Sequence, residues 1–407
     1  MKNYDVIICG AGPSGATSAK FISERGYKVA LLDKASFPRN KLCGGALRLS
    51  VDQFEYIMKG MGNISLTNCF EVKMHSPSLK YIADFKSSSP VIYHIKRLEF
   101  DLMLVNMAVD AGVDFLENHF VEKVSISRHK SSVFLKNGEE LYSKLIIGAG
   151  GMYDPVLSYL RKKQGLQLYY KKSEIAYMMM QEYPVSMDFI LDVFGEQKTS
   201  HMFLKPGGVY GYGWLFPKDT VLNVGIGALW TDIKMVEKHE IFNLYLKLLK
   251  KQGLFPNNCN LGQIEVTLLP LSGPIRKTYA ERAIIVGDAA GFISPLSGEG
   301  LYYAISSGKF AAETVIDALK KERFTEKNLS IYQSKWQNEW GFEIALLKFF
   351  TMNFHNQVER FLKYVSLDEK LKSNLMDIYT GRKNSSEILW KMAPRILMDF
   401  LRFESLK

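Results

Sequence analysis

Cys43 stands in the stretch "FPRNKLCGG", followed at once by Gly44 and Gly45 and preceded by Arg39 and Lys41. A thiol in this setting has two readings. It is a small apolar filler of a tight turn, as cysteine often is, or it is held against a reacting group. Two glycines let the backbone pass close to another surface. Arg39 and Lys41 either meet a phosphate or, if they point toward the thiol, lower its pKa. A second candidate precedes it. Gly10-x-Gly12-x-x-Gly15 lies between an apolar run and a segment of helical spacing, and Asp33 follows about 20 residues later.

The elements that position these residues are legible around them. Val6 to Cys9 is continuous and apolar, as a strand buried on both faces of a parallel sheet requires. A helix follows with Ala16, Ala19 and Phe21 inward and ends at Gly26; Lys28 to Leu32 forms a second strand, closed by Asp33. Gly10 permits the tight turn, Gly12 admits a pyrophosphate to the backbone, and Gly15 lets helix and strand pack. The helix N-terminus offers free N–H groups, and Asp33 suits a ribose hydroxyl. Ser14 and Lys34 complete the nucleotide-binding candidates in this unit. The alternative, a tight turn with no ligand, does not account for the strand–turn–helix–strand context.

A related signature recurs downstream. "ERAIIVGDAAGFISPLSGEGLYYAISSGKFAAE" sets a buried strand, Ala283 to Val286, before Gly287-Asp288, then Gly298-Glu299-Gly300 before a helix dense in small residues. This resembles the second FAD motif of the flavin hydroxylase and reductase superfamily. The resemblance implies that Asp288 bonds the ribityl chain and that the helix N-terminus faces the flavin, where it would stabilise negative charge. Asp288 as a plain N-cap is the alternative. Between the motifs, alternating segments with Asn137-Gly138 as a turn lead to a buried strand, Leu145 to Ile147, and Gly148-Ala149-Gly150. Many relatives have an acidic residue where Gly150 stands. Arg97 and Asp101 share an amphipathic helix; the resemblance places such an arginine near the cofactor, and a salt bridge at a helix start explains it equally well.

The resemblance then narrows. "PRNKLCGG" is similar to the P-x-x-x-x-C-G-G motif of the geranylgeranyl reductase family, and "YGWLFP", with Tyr212, Trp214, Phe216 and Pro217, to its Y-x-W-x-F-P motif. The four motifs occur in the family's order. Membership implies an α/β fold: an FAD-binding Rossmann-like domain of the p-hydroxybenzoate hydroxylase type, an antiparallel-sheet substrate domain and a C-terminal helical region. The expected division is 1–65, 92–165 and 265–325 for the FAD domain, 66–91 and 166–264 for the substrate domain, and 326–407 for the helices. It implies Cys43, Gly44 and Gly45 near the flavin, Arg39 and Arg97 at the cofactor, and Gly298 and Gly300 beside it. Tyr212, Trp214, Phe216 and Pro217 then wall a substrate cavity. The implied activity is hydrogenation of isoprenoid double bonds in digeranylgeranyl glycerophospholipids, with Cys43 acting on the alkene as proton donor or as gatekeeper of the flavin.

The residues allow this chemistry without proving it. Tyr212, Trp214 and Phe216 alternate, so they share one strand face, which is a tunnel wall or ordinary core. Met178, Met179 and Met180 suit a cavity for a long chain or a plain core. The alternatives are an NAD(P)H-dependent flavin monooxygenase and a non-catalytic carrier of prenyl lipid. With no second glycine-rich unit, the electron donor is NAD(P)H binding transiently, a ferredoxin or another reductase.

At 407 residues and 47% hydrophobic content, the chain buries more than one core. Cys9, Cys43, Cys69 and Cys259 are dispersed and the histidines scattered, against a disulfide framework or a metal site. No apolar run reaches a membrane span and no signal sequence precedes the fold, so a cytoplasmic protein is expected. The net charge of +10 has no nucleic-acid module beside it. From Trp336 onward, apolar residues at helical spacing alternate with basic ones, with a kink expected at Pro394. These helices cap the cavity or lie on an anionic membrane, where a prenyl lipid substrate resides.

Overall fold

The computed structural model describes residues 3–233, 238–258, 263–353 and 357–380. Cys259 and the second C-terminal amphipathic segment with Pro394 lie outside the described residues.

Val6, Ile7 and Ile8 are fully buried because the strand Asn3–Cys9 pairs in parallel with Val29–Leu32 on one side and Glu140–Gly148 on the other. Ala283–Ile285 and Asp114–Leu116 extend the same sheet in parallel. The antiparallel excursion Val121–Ile126 and Ser131–Leu135 leads into Glu140–Gly148. Its turn closes with Gly138 N–H donating to the Leu135 carbonyl, as Asn137-Gly138 predicts.

Helix Pro13–Ser23 packs on helix Leu301–Lys320 through small residues. A Cβ on Gly308 would lie 2.4 Å from the Ser14 carbonyl oxygen, and the Ser18 hydroxyl donates to the Gly308 carbonyl at 2.9 Å. That contact joins the two glycine motifs, although nearly 300 residues separate them.

The second sheet is seven-stranded. Its order is Glu265–Pro270, Ile175–Pro184, Val221–Leu229, Gly211–Lys218, Ser200–Leu204, Glu71–His75 and Ile82–Lys86. The sequence puts 265 onward in the FAD domain. Backbone pairing instead puts Glu265–Pro270 in this sheet, because Ile175–Met180 takes it as a ladder partner. One face carries Tyr177, Met179, Tyr183, Phe203 and Leu215 beneath helices Met187–Phe194 and Lys238–Lys251. The other carries Met180, Met202, Trp214 and Phe216, covered by Leu362, Val365 and Met376 of helices Val358–Leu367 and Glu369–Thr380. The three consecutive methionines therefore divide. Met178 and Met180 join the aromatic face and Met179 the opposite one, as strand alternation dictates.

A small sheet of Ala46–Arg48, Ile92–Ile95 and Leu66–Cys69 lies beside both large sheets, and the cysteine loop enters it directly. No described helix is long and apolar enough to cross a membrane.

Candidate active site

The glycine loop is set by a carboxylate. Asp33, at the end of its strand, accepts from Ala11 N–H and from Ala35 N–H, each at 2.9 Å. A carboxylate has about four lone-pair sites, so acceptor capacity remains for a ribose hydroxyl. Gly15 is obligatory here, since a Cβ would lie 1.9 Å from the Gly10 carbonyl oxygen. Gly12 caps the first helix without a side-chain partner and faces open space, with Arg39 Nη2 3.9 Å from its missing Cβ.

Arg39 belongs to a buried charge cluster. Arg97 grips Asp101 with Nε at 2.7 Å and Nη2 at 2.8 Å, and Arg39 Nη1 lies 3.0 Å from the same carboxylate. That Nη1 is buried and has no directional hydrogen bond. Two guanidinium groups share the Asp101 carboxylate, and Arg39 Nε also reaches Asp33 at 4.0 Å beside the open glycine loop. An orphaned guanidinium donor and free N–H groups at the helix start fit the pyrophosphate of a dinucleotide. Lys34 and Lys41 are exposed.

Arg97 is also the cation beside Cys43. Burial opposes its charge, yet Asp101 and the hydrogen-bonding Cys43 sulfur hold its pKa above the ordinary arginine range. The sequence offers Arg39 and Lys41 for this place. Arg39 instead turns to Asp101, and the chain fold brings Arg97 from 54 positions downstream. The salt bridge foreseen for Arg97 is present, with Asp101 as its partner.

The cysteine loop lies between two surfaces. A Cβ on Gly45, whose φ is +73°, would lie 2.2 Å from the Ile95 carbonyl oxygen. One on Gly44 would lie 3.0 Å from the Phe216 ring and 3.3 Å from Trp214 Nε1. Both glycines thus have a reason internal to the protein. The Cys43 sulfur accepts from Gly45 N–H at 3.3 Å, and its carbonyl accepts from Asn223 Nδ2 at 3.3 Å. Asn223 also holds Trp214, accepting from the indole N–H at 2.7 Å, and donates to Glu182, itself paired with Lys218 at 2.8 Å.

Trp214 and Phe216 are buried, and Tyr212 shares their face. Pro217 falls on the opposite face by alternation, and its carbonyl hydrogen-bonds His94 Nδ1 at 3.1 Å. Trp214 occupies a hole left by Gly225, where a Cβ would lie 2.0 Å from the indole. Gly225→Ala is expected to displace the indole, cost about 1–3 kcal/mol by overpacking, and shift tryptophan emission; an unchanged spectrum and melting point would disprove the fit.

The second motif closes the site. A Cβ on Gly287 would lie 2.8 Å from Ser14 Oγ, and one on Gly300 would lie 3.4 Å from Asp288 Oδ1. Ser14, Gly287, Asp288 and Gly300 therefore converge where the starts of the two helices meet. A Cβ on Gly298 would lie 3.8 Å from the Tyr212 hydroxyl, which donates to the Ser297 carbonyl. Tyr212 is pushed above the ordinary range, first by burial, then by Cys43 and Glu299.

Glu299 is the residue that the sequence passes over, naming only its flanking glycines. It accepts from Tyr302 N–H at 2.9 Å. Its pKa is pushed up to about 7, first by burial, with Arg48 and the Tyr302 N–H opposing and Glu343 and Asp288 adding. Arg48 pairs with Glu343 at 3.1 Å, and Tyr303 donates to Glu343 at 2.8 Å, so helix Phe342–Asn353 reaches the rear of the site. The available signal was an acid between two glycines at a helix start. Asp154 accepts from Gly150 N–H at 2.8 Å and caps helix Pro155–Lys163.

Comparison with known proteins gives the family and the fold. The family described as lycopene cyclase protein matches residues 5–360. A digeranylgeranylglycerophospholipid reductase of Methanococcoides burtonii is 27% identical over 420 residues, covering 96% of this chain and 95% of that protein. A menaquinone reductase of Mycobacterium tuberculosis is 28% identical over 320 residues, 76% of each. A geranylgeranyl bacteriochlorophyll reductase-like structure from Thermoplasma acidophilum superposes with a TM-score of 0.77 at 20% identity, over 97% of this chain and 99% of that one. With its two dinucleotide motifs, its C-G-G loop and its aromatic strand meeting at one site, this chain belongs to the lycopene cyclase protein family and is a flavin-dependent oxidoreductase of the FAD hydroxylase fold.

Proposed function

We propose that the protein hydrogenates isoprenoid double bonds of geranylgeranyl chains carried on a glycerophospholipid. The observation that carries this reading is the seating of the Cys43 loop between Arg97, on the cofactor side, and the Trp214–Phe216 face of the substrate sheet. A hydrogenase of isolated alkenes needs a polar, proton-bearing edge against a dry apolar wall, and the loop lies on that boundary. The digeranylgeranylglycerophospholipid reductases among its relatives support the lipid class.

Asp33, Gly12, Ser14 and Asp288 would hold the FAD, with Arg39 and Arg97 balancing its phosphates. Bound there, the flavin would supply hydride chemistry to one alkene carbon. The protein must then deliver a proton to the other carbon, and the candidates are the Cys43 thiol and the Glu299 carboxyl, both of which act electrostatically on Tyr212. The buried aromatic face excludes water, and Met178 and Met180 give it a deformable surface.

The test is anaerobic. Protein reduced with dithionite is mixed with a lipid bearing two geranylgeranyl chains, and flavin reoxidation is followed with product mass. Reoxidation with two hydrogens gained per double bond is expected. Reoxidation only on admitting air, with one oxygen gained, would assign a monooxygenase instead.

The same assay reads Glu299. Its carboxyl is raised to about 7, so it holds its proton below that pH and loses it above. The single-turnover rate should fall as pH rises through 7, and Glu299→Gln should abolish that limb. A limb that persists in the variant would remove Glu299 from proton supply.

A further inference from the structure

Between helix Pro155–Lys163 and strand Ile175–Pro184 the chain reads Lys162-Lys163-Gln-Gly-Leu166-Gln-Leu168-Tyr169-Tyr170-Lys171-Lys172. Its apolar side chains point outward. Leu166 is 38% exposed, Leu168 48% and Tyr169 76%. This is not slack chain. Buried Arg161 stacks on the Tyr170 ring at 4.3 Å and donates from Nε to the Gln167 carbonyl. Leu166 N–H donates back to the Arg161 carbonyl at 2.9 Å. The inner side of the loop is thus fastened to the fold, and the fastening holds the apolar tip in solvent.

The flanks are basic. Lys162, Lys171 and Lys172 are exposed and make no ion pair among the described residues, whereas Lys163 is paired with Glu326 at 2.8 Å. Lys172 lies 5.5 Å over the ring of Trp230, which is half-buried. An apolar tip with lysines on both sides and an indole beside it is complementary to one kind of surface: an anionic headgroup layer over hydrocarbon. A protein partner would need shape in addition to charge. On the C-terminal helices Leu362, Val365 and Met376 are spent on the sheet core, while Met352 and Leu367 remain 64% and 74% exposed.

We propose that segment 162–172 is a membrane-contact loop that docks the protein on an anionic phospholipid bilayer. The proposal deepens the lipid reading above, and its test is scored without turnover, so the two fail separately.

FAD-loaded full-length protein is sedimented with phosphatidylcholine vesicles with and without phosphatidylglycerol. Binding is expected only with phosphatidylglycerol and should weaken with salt. Replacing Leu168 and Tyr169 together by serine should weaken it roughly tenfold, the loss of about one buried apolar side chain. Lys162→Gln, Lys171→Gln and Lys172→Gln together should cost on the order of a hundredfold at low salt, about fivefold per charge. Both variants should keep the flavin spectrum and melting point. Wild type that ignores anionic vesicles, or variants that bind them as wild type does, overturns the proposal. Self-association removed by the same changes, without vesicle binding, overturns it in favour of a second copy of the chain. Hydrogenation of detergent-dispersed lipid without vesicle binding discards the surface and keeps the function; vesicle binding without hydrogenation does the reverse.

Discussion

Cys43→Ala is expected to keep its flavin and lose alkene reduction by roughly a hundredfold or more, the usual scale for removing a positioned acid or base. Flavin retention follows from what Cys43 does not hold. The glycine loop is set by Asp33, the charge cluster by Asp101, and the cysteine loop by Gly45, Ile95 and Asn223. Alanine keeps the backbone and removes only the sulfur and its contact with Arg97. The measurement is single-turnover reoxidation at saturating lipid, with the flavin absorbance spectrum as the control for loading. Glu299→Gln measured beside it apportions the roles. If the thiol gives the proton, Cys43→Ala is slow at every pH and Glu299→Gln changes only the pH profile. Full turnover in Cys43→Ala would make the cysteine a filler of its turn and pass the proton step to Glu299.

The parts of this site that follow local rules were legible in the sequence. A strand, a glycine turn and a helix are contiguous, so Gly10, Gly12, Gly15 and Asp33 declare one another. The Tyr212–Phe216 alternation likewise fixes a shared face, and Pro217 then has to lie on the other one. What the sequence could not give is partner choice across the fold. Arg39 and Arg97 were both candidates, yet nothing local says that they share Asp101, or that Arg97 rather than Arg39 meets Cys43. Gly44 and Gly45 were expected to yield space to the flavin. Their immediate neighbours, Phe216, Trp214 and the Ile95 carbonyl, come from other strands and are visible only once those strands are paired. Glu299 was hidden for a related reason. Its elevated pKa arises from burial and from the balance between Arg48 and Glu343, the latter contributed from a helix 44 positions downstream. The boundary at 265 shifted because strand pairing, which composition does not report, assigns Glu265–Pro270 to the substrate sheet.

Asp101→Asn should have the largest effect on stability of any single change at the site. The carboxylate is 1% exposed and is the one that both guanidinium groups share. Removing one member of a buried ion pair costs about 3–5 kcal/mol, because the partner is left buried and uncompensated. Here Arg97 loses both of its carboxylate bonds, and Arg39 keeps only the 4.0 Å approach of its Nε to Asp33. At about 2–4 °C per kcal/mol for a large domain, the apoprotein should melt on the order of 10 °C lower. Bound FAD should return part of that loss, since its pyrophosphate brings negative charge to the side of the glycine loop that Arg39 faces. The melting-point increase on adding FAD should therefore be larger in Asp101→Asn than in wild type. Adding Arg39→Gln to the variant should remove this extra increase, because the guanidinium that faces the phosphate is then gone. An equal increase in all three proteins would separate the cluster from cofactor binding and leave Asp101 a structural anchor for Arg97 alone.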